Sequence, residues 1–280
     1  QHERLPERCV LLVDEASMAD TRILARTLQL VDAADGKAIL IGDPHQLPAV
    51  GAGGLFAAIV QRHGAVELTE NHRQHDPLEQ HVLQRLRDGA GREYLAHAQR
   101  TERLIETDDP ATTRARLLAD WWQHAQTNPA DNVMIALRRR DVSELNQLAH
   151  RLMDTAGHLG PDRILTRHGE LAVGDRIVCK RNNSHLGVTN GTRGTISKLD
   201  PKHRQLTITT DAGTTIQLPA AYLDAGNVHH AYALTGHTTQ GLTVDRAFVL
   251  TGGEARMQEW GYVALSRART QTRLYVTATA

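Results

Sequence analysis

The amino-acid sequence predicts an α/β fold with parallel sheets and a small antiparallel β domain inserted near its end. Three observations carry this. Short continuous apolar runs bounded by turn signals recur along the chain, as expected of strands buried in a parallel sheet. Segments with helical spacing of apolar residues lie between them, giving the alternation of an α/β chain. From about Gly169 to Leu223 that alternation stops, and short β-branched runs follow one another between turn dipeptides.

In order, strands are expected at Cys9–Val13, Ala38–Ile41, Val66–Leu68, Val133–Leu137, Ala247–Leu250 and Leu274–Thr277. Helices are expected over Arg22–Val31, where Ile23, Leu24, Leu28 and Val31 share a face, and over Leu78–Leu86, Thr112–Gln126 and Val142–Met153. In the antiparallel stretch, strands are expected at Arg176–Cys179, Thr192–Ile196, Leu206–Thr209 and Thr214–Leu218. Asn190-Gly191 and Asp211-Ala212-Gly213 suit hairpins between them.

The 280 residues are enough to bury a sizeable core in two or three domains. Charge is balanced, with 32 Lys+Arg against 32 Asp+Glu, so any nucleic-acid contact must come from a local basic groove. Cys9 and Cys179 form no disulfide framework or CxxC metal pair, which suits a reducing, cytoplasmic setting. No apolar run approaches the roughly 20 residues of a membrane helix, so no membrane partner is expected. The 16 histidines include His72 and His75 at plausible metal spacing and the adjacent His229-His230. Without a recognisable third and fourth ligand, solvated or hydrogen-bonded histidine is the better reading. The start at Gln1 reads as a segment of something longer.

The chemistry is concentrated at strand ends. Leu11-Leu12-Val13-Asp14-Glu15-Ala16-Ser17 places two carboxylates at the carboxyl edge of a sheet, where open α/β folds bind ligands. There Asp14 could hold Mg²⁺ and Glu15 could orient and deprotonate a water attacking a γ-phosphate. On this pair alone, a helix-capping role is equally open. The second strand runs into Gly42-Asp43-Pro44-His45-Gln46-Leu47-Pro48. Together these segments resemble motifs II and III of superfamily-one helicases of the RecD-like branch, whose motif III glutamine senses the γ-phosphate. Gln46 matches it.

The resemblance continues in order. Glu70-Asn71-His72-Arg73-Gln74 is similar to motif IV, which implies that Arg73 contacts the γ-phosphate. Leu234 to Asp245 resembles motif V, implying DNA-facing Thr235 and His237 and a nucleotide edge shaped by Gln240 and Gly241. Here Thr238 stands where the family usually has Lys or Arg. Tyr262 to Thr270, read as a helix rich in Ala and Arg, resembles motif VI and assigns Arg267 as an arginine finger. Val173 to Ile177 and Val188 to Gly194 look like the SH3-like insertion of these helicases. Lys180, Arg181, Asn182, Asn183 and Arg193 there would suit DNA phosphates, with a solvated hairpin rim as the equal alternative. Trp121-Trp122, Tyr232 and Tyr262 are either core residues or base-stacking platforms, core packing being the safer reading, and Arg138-Arg139-Arg140 either bind phosphate or form a solvated helix end.

By this resemblance the fold is a pair of P-loop NTPase (RecA-like) domains. Residues 1–66 form part of the first (motifs II and III), 67–168 and 225–280 form the second (motifs IV, V and VI), and 169–224 form the SH3-like insert. The implied cofactors are ATP and Mg²⁺, and the implied partners are single-stranded DNA and an N-terminal part of the parent chain. No G-x-x-x-x-G-K-[ST] phosphate loop occurs in the 280 residues. The expectation is therefore an ATP-dependent helicase moving 5′ to 3′, with these residues alone inactive as an ATPase. The strand and helix that a phosphate-loop segment would add are expected to leave an edge beside Leu11–Val13 open or otherwise covered. Motif wording is closest to the helicase part of TraI-like conjugative relaxases. A RecD-like repair helicase and a non-hydrolysing single-strand-binding module are the alternatives.

Overall fold

A computed structural model describes residues 4–49, 51–68, 72–252 and 258–278. The first unit is small. Strand β1 (Val10–Val13), helix α1 (Thr21–Ala33), strand β2 (Lys37–Leu40) and helix α2 (Leu55–His63) form a βαβα unit in which β1 and β2 pair in parallel, Val10 opposite Lys37 and Val13 opposite Leu40. Asp20 caps α1 by accepting the Arg22 amide at 2.8 Å. Leu24 of α1 and Phe56 of α2 pack with Ala16 under the end of β1.

The second unit is larger. Helices α3 (Pro77–Arg87) and α4 (Gly91–Arg100) precede β3 (Leu104–Thr107), α5 (Pro110–Ala125), β4 (Asn132–Ala136) and α6 (Arg139–Thr155). Helices α3 and α5 each start on an aspartate cap followed by proline, Asp76-Pro77 and Asp109-Pro110. The chain then leaves through the hairpin β5 (Ile164–Thr166) and β6 (Gly169–Leu171). It continues into β7 (Arg176–Cys179), β8 (Arg193–Asp200), β9 (Gln205–Thr210), β10 (Thr215–Leu218), the short α7 (Ala220–Asp224) and β11 (Val228–His230). It returns as β12 (Ala233–Thr235), β13 (Val244–Thr251), α8 (Gln258–Leu265) and β14 (Ala268–Thr277).

Two five-stranded sheets result. The parallel sheet has the order β12-β4-β13-β14-β3, with β4 wholly buried between cores led by Trp260 and Val263 on one face and Trp121 and Leu145 on the other. The antiparallel sheet has the order β10-β9-β8-β7-β11 around its own core of Ile177, Ile196, Ile208 and Leu218.

Several expectations change. Val66–Leu68 is not a strand: both residues are more than nine-tenths exposed, because three residues with a charged Glu67 at the centre find no partner strand among the described residues. β1 and β2 are half-buried rather than buried on both faces, with Val10, Leu12, Ile39 and Ile41 exposed. The motif VI segment is not one helix. α8 ends at Leu265, and Ala268 already begins β14, because Thr272, Leu274 and Tyr275 are drawn into the sheet. Trp121 is fully buried, with its indole N–H donating to the Asn132 carbonyl at 2.9 Å, and Tyr232 is also fully buried, so both are core.

Candidate functional site

The carboxylate pair sits where β1 turns away from the sheet. Ile41 N–H donates to Val13 and Ala16 N–H to Ile41, so the loops after β1 and β2 are stitched together directly beyond the strand ends. Glu15 adopts a left-handed conformation, φ 50°, uncommon for a side chain with a Cβ. Its amide donates to Asp14 Oδ1 at 2.9 Å, and its own side chain caps no helix. Asp14 is exposed and Glu15 half-buried. A Cβ on Gly42 would stand 2.9 Å from the Ser17 amide, so this close approach of the two loops requires glycine.

The loop after β2 crosses to the second unit. Leu47 is buried in the core that holds Leu83 and Trp260, and its carbonyl accepts from Gln240 Nε2 at 3.3 Å. Gln46 Nε2 donates to Asp43 Oδ2 at 3.4 Å, and Asp43 Oδ1 pairs with Arg87 Nη2 at 3.3 Å. Val50 of this loop, and Glu70 and Asn71 of the next motif, lie outside the described residues.

Arg73 and Arg267 come together on the far wall. Arg73 donates to Thr243 Oγ1 at 2.9 Å and to the Ser266 carbonyl at 3.1 Å. Arg267 is 2% exposed and donates to Ser266 Oγ at 2.8 Å and to the Thr239 carbonyl at 3.4 Å. Burial, then the positive charge of Arg73, pushes Arg267 down to about 10, while Tyr262, Glu15 and Asp43 oppose that shift. Arg73 is also lowered by burial and supported by Tyr262 and Glu15. Glu15 from the first unit thus acts electrostatically on both arginines of the second.

Polar atoms around this cleft are left over. Gln46 Oε1, Gln240 Oε1 and Arg267 Nε are buried without a hydrogen-bond partner among the described residues. Such groups are costly unless a ligand or water completes them. Two arginines, two carboxylates and unfilled glutamine oxygens fit a polyphosphate with its metal and an attacking water. Gly241, exposed with φ 72°, turns the chain at the same edge.

A second cluster forms where the antiparallel sheet meets the β12 end. Lys180 Nζ donates to Thr238 Oγ1 at 3.3 Å, and Thr238 Oγ1 lies 3.0 Å from Thr235 Oγ1. Burial and the charge of Arg139 lower both Lys180 and the neighbouring His237. So Thr235, His237 and Lys180 are brought together, with Arg139 added. Arg181 is exposed beyond them. Arg193 is elsewhere engaged: its guanidinium lies 3.4 Å from Asp211, which also holds Arg176 at 2.7 Å.

The histidines have a resolved arrangement too. His150, Asp175 and His230 present ligand atoms within 4.8 Å of one another, a grouping no sequence spacing signalled. Asp175 is fully buried, however, and its oxygens already accept from His150 Nδ1 at 2.9 Å, the Tyr232 hydroxyl at 2.7 Å and the Ala172 amide at 2.7 Å. This is a hydrogen-bonded hub.

A family model described as an AAA domain matches residues 1–109. The conjugal transfer protein TraA of Agrobacterium fabrum is 32% identical over 97% of this chain, and the match covers 25% of that protein. The RecD subunit of the RecBCD enzyme of Mycolicibacterium smegmatis is 29% identical over 97% of this chain and 50% of its own length. Over nearly its whole length the chain is thus similar to TraA and RecD proteins. It spans a quarter of the TraA relatives and half of the RecD relatives. The fold agrees: a crystal structure of Pif1 helicase from Bacteroides with ADP-AlF3 and single-stranded DNA superposes with a TM-score of 0.61 at 21% identity, covering 97% of this chain and 71% of that one. Among the described residues, no helix is long and apolar enough to cross a membrane.

Proposed function

We propose that the chain is the motif II-to-VI portion of an ATP-dependent DNA helicase that moves 5′ to 3′ along single-stranded DNA, opens duplex and serves conjugative transfer. The observation that carries this reading is that Glu15 acts on both Arg73 and Arg267 across the two units, with Asp43, the hydrogen-bond partner of Gln46, acting on Arg267 as well. We assign 1–66 to the first RecA-like domain, 67–168 and 225–280 to the second, and 169–224 to an SH3-like insert. The relevant partners are single-stranded DNA and further residues of the same parent chain carrying the phosphate loop.

Each residue has a role in that reading. Asp14 would hold Mg²⁺ through a carboxylate oxygen, a ligand type this hard cation prefers. Glu15 would take the proton of the attacking water, and Gln46 Oε1, buried without a partner among the described residues, would be free to accept a hydrogen bond from it. Arg73 and Arg267 hold the negative charge that grows on phosphoryl oxygens. Gln240 and Gly241 border the nucleotide. ATP would supply the phosphoanhydride as substrate, and Mg²⁺, when bound, would neutralise part of its charge. On the DNA side, Lys180 fills the place of the cation that Thr238 lacks relative to the family pattern. Thr235, His237 and Arg181 extend that surface, while Arg193, a DNA-binding candidate by sequence, stays engaged with Asp211.

The test is turnover with and without single-stranded DNA. The 280 residues alone are expected to show none, while a longer chain that includes a phosphate-loop segment hydrolyses ATP on DNA addition and loses this with E15Q. DNA-stimulated hydrolysis by the 280 residues would sink the inactivity claim. Nucleotide-independent DNA affinity without turnover in the longer chain would favour the non-hydrolysing module instead.

A further inference from the structure

Asp43 is an aspartate that the motif reading leaves without a job. Its carboxylate is four-fifths buried, and so is the Arg87 guanidinium facing it at 3.3 Å. The two residues belong to different units: Asp43 follows β2, and Arg87 is the last residue of α3. Asp43 does more than pair. Its Oδ1 also accepts the His45 amide at 3.0 Å, and its Oδ2 accepts the Gln46 side-chain amide at 3.4 Å. One carboxylate therefore holds the second unit through Arg87 and the glutamine through Nε2.

We propose that Arg87 is a positioning residue for Gln46, acting through Asp43 as a latch that makes the motif III loop move with the second unit. With Nε2 on Asp43, the Gln46 amide presents its unpartnered Oε1 elsewhere. Swinging the second unit away would pull Arg87 from Asp43 and free that amide to turn. The latch is itself anchored, because the Arg87 carbonyl accepts from Gln258 Nε2 of α8 at 2.9 Å. That contact ties it to the helix whose end leads directly into Ser266 and Arg267. A change at the arginine wall is thereby transmitted to the glutamine through α8, Arg87 and Asp43. The Gln240 amide on the Leu47 carbonyl is a second tie across the same gap, but it grips backbone and leaves the Gln46 side chain untouched.

The charge balance explains why neither partner is replaceable alone. Removing Arg87 leaves a mostly buried carboxylate with two neutral donors. Removing Asp43 strands a guanidinium whose Nε already lacks a partner among the described residues. Reversing both charges keeps the attraction across the gap but takes away the acceptor of Gln46.

What the latch controls rests on the nucleotide-cleft reading, whereas the latch itself is read from the width of the gap, with no ATPase needed. Spin labels at R26C on α1 and Q123C on α5, both exposed positions, report that width by electron–electron resonance in a C9S chain. R87Q and D43N are each expected to enlarge the open population by about threefold to tenfold, the scale for one part-buried ion pair. R87K recovers part of the closed population, and the D43R/R87D swap recovers most of it. In the swap, the Gln46 side-chain amide signal, assigned through Q46E, still shifts towards that of a free amide. An unchanged distance distribution in R87Q and D43N overturns the proposal. So does a swap that stays as open as the single variants, since their effect would then be local damage. If R87Q does not fold, D43N and R87K read the same contact from the other side.

Discussion

Arg73 and Arg267 grip opposite ends of one residue: Arg73 Nη1 donates to the Ser266 carbonyl at 3.1 Å, and Arg267 Nη2 donates to Ser266 Oγ at 2.8 Å. Ser266 thus holds two cations together that would otherwise repel, and burial pushes Arg267 down further. An anion between them relieves both costs. Pyrophosphate is therefore expected to raise the melting temperature by about 2–4 °C over chloride at equal ionic strength, corresponding to about 1 kcal/mol for a chain this size. R267Q should lose most of that increment. Equal stabilisation of the parent and R267Q by pyrophosphate, in a fluorescence melt, would count against a phosphate site at this wall.

Gly42 is the contact point between the loops that carry Glu15 and Gln46. An added methyl meets the Ser17 amide at 2.9 Å, Phe56 at 3.2 Å and the Ala16 amide at 3.3 Å, and the backbone atoms cannot rotate away. G42A is expected to cost about 1–3 kcal/mol, the range for forcing extra carbon into a packed site. Denaturant unfolding measures it. A cost indistinguishable from zero would mean that the two loops are not held as described.

The parallel sheet was legible where apolar runs are long. Val133–Leu137 announces β4, the wholly buried centre, and the four helices predicted by spacing are all present. β3 was not legible, since Leu104-Ile105-Glu106-Thr107 offers only two apolar residues and gains its place by pairing with β14. α4 was hidden by its polar composition, because it buries Tyr94 and His97 around Glu79 rather than an aliphatic stripe. At the site, the motif residues could be found because each follows a recognisable strand or short phrase. The links between them could not. Arg87 to Asp43, Lys180 to Thr238 and Arg73 to Ser266 join residues 44, 58 and 193 positions apart, and a single sequence carries no signal for such pairings.

Two histidines, His229 on β11 and His150 on α6, pull stability in opposite directions with pH. His229 is pushed down to about 4, first by burial and then by His168, with which it stacks at 3.8 Å, and Lys180. A base with a folded value below its unfolded 6.5 binds protons better when unfolded, so stability falls as pH drops from about 6.5 towards 4. His150 is raised, chiefly by its hydrogen bond to Asp175, so its contribution is full below about 6.5 and fades as pH rises through the folded value. H229N should flatten the acid-side loss between pH 6.5 and 4, whereas H150N should leave that window unchanged and flatten the loss as pH rises above about 6.5. Urea melts at stepped pH test both. Parallel curves for H229N and the parent would rule out the His229 contribution.

Lys180 and Arg193 both looked like phosphate ligands, yet their surroundings separate them. Lys180 reaches the Thr235–Thr238 hydroxyl pair, where its ammonium is lowered by burial and by Arg139, so a phosphate arriving there meets two clustered cations. Arg193 shares Asp211 with Arg176, and a DNA phosphate would have to compete with a carboxylate already 3.4 Å away. K180A is therefore expected to weaken binding to every single-stranded sequence alike and to reduce the salt slope of log K by about 0.7, the value for one phosphate contact on a single strand. R193A should leave that slope unchanged and instead lower the unfolding midpoint, because Asp211 loses one of its two guanidinium partners. Fluorescence anisotropy over a salt series distinguishes the two. An R193A slope change equal to that of K180A would show that Asp211 yields the arginine to DNA.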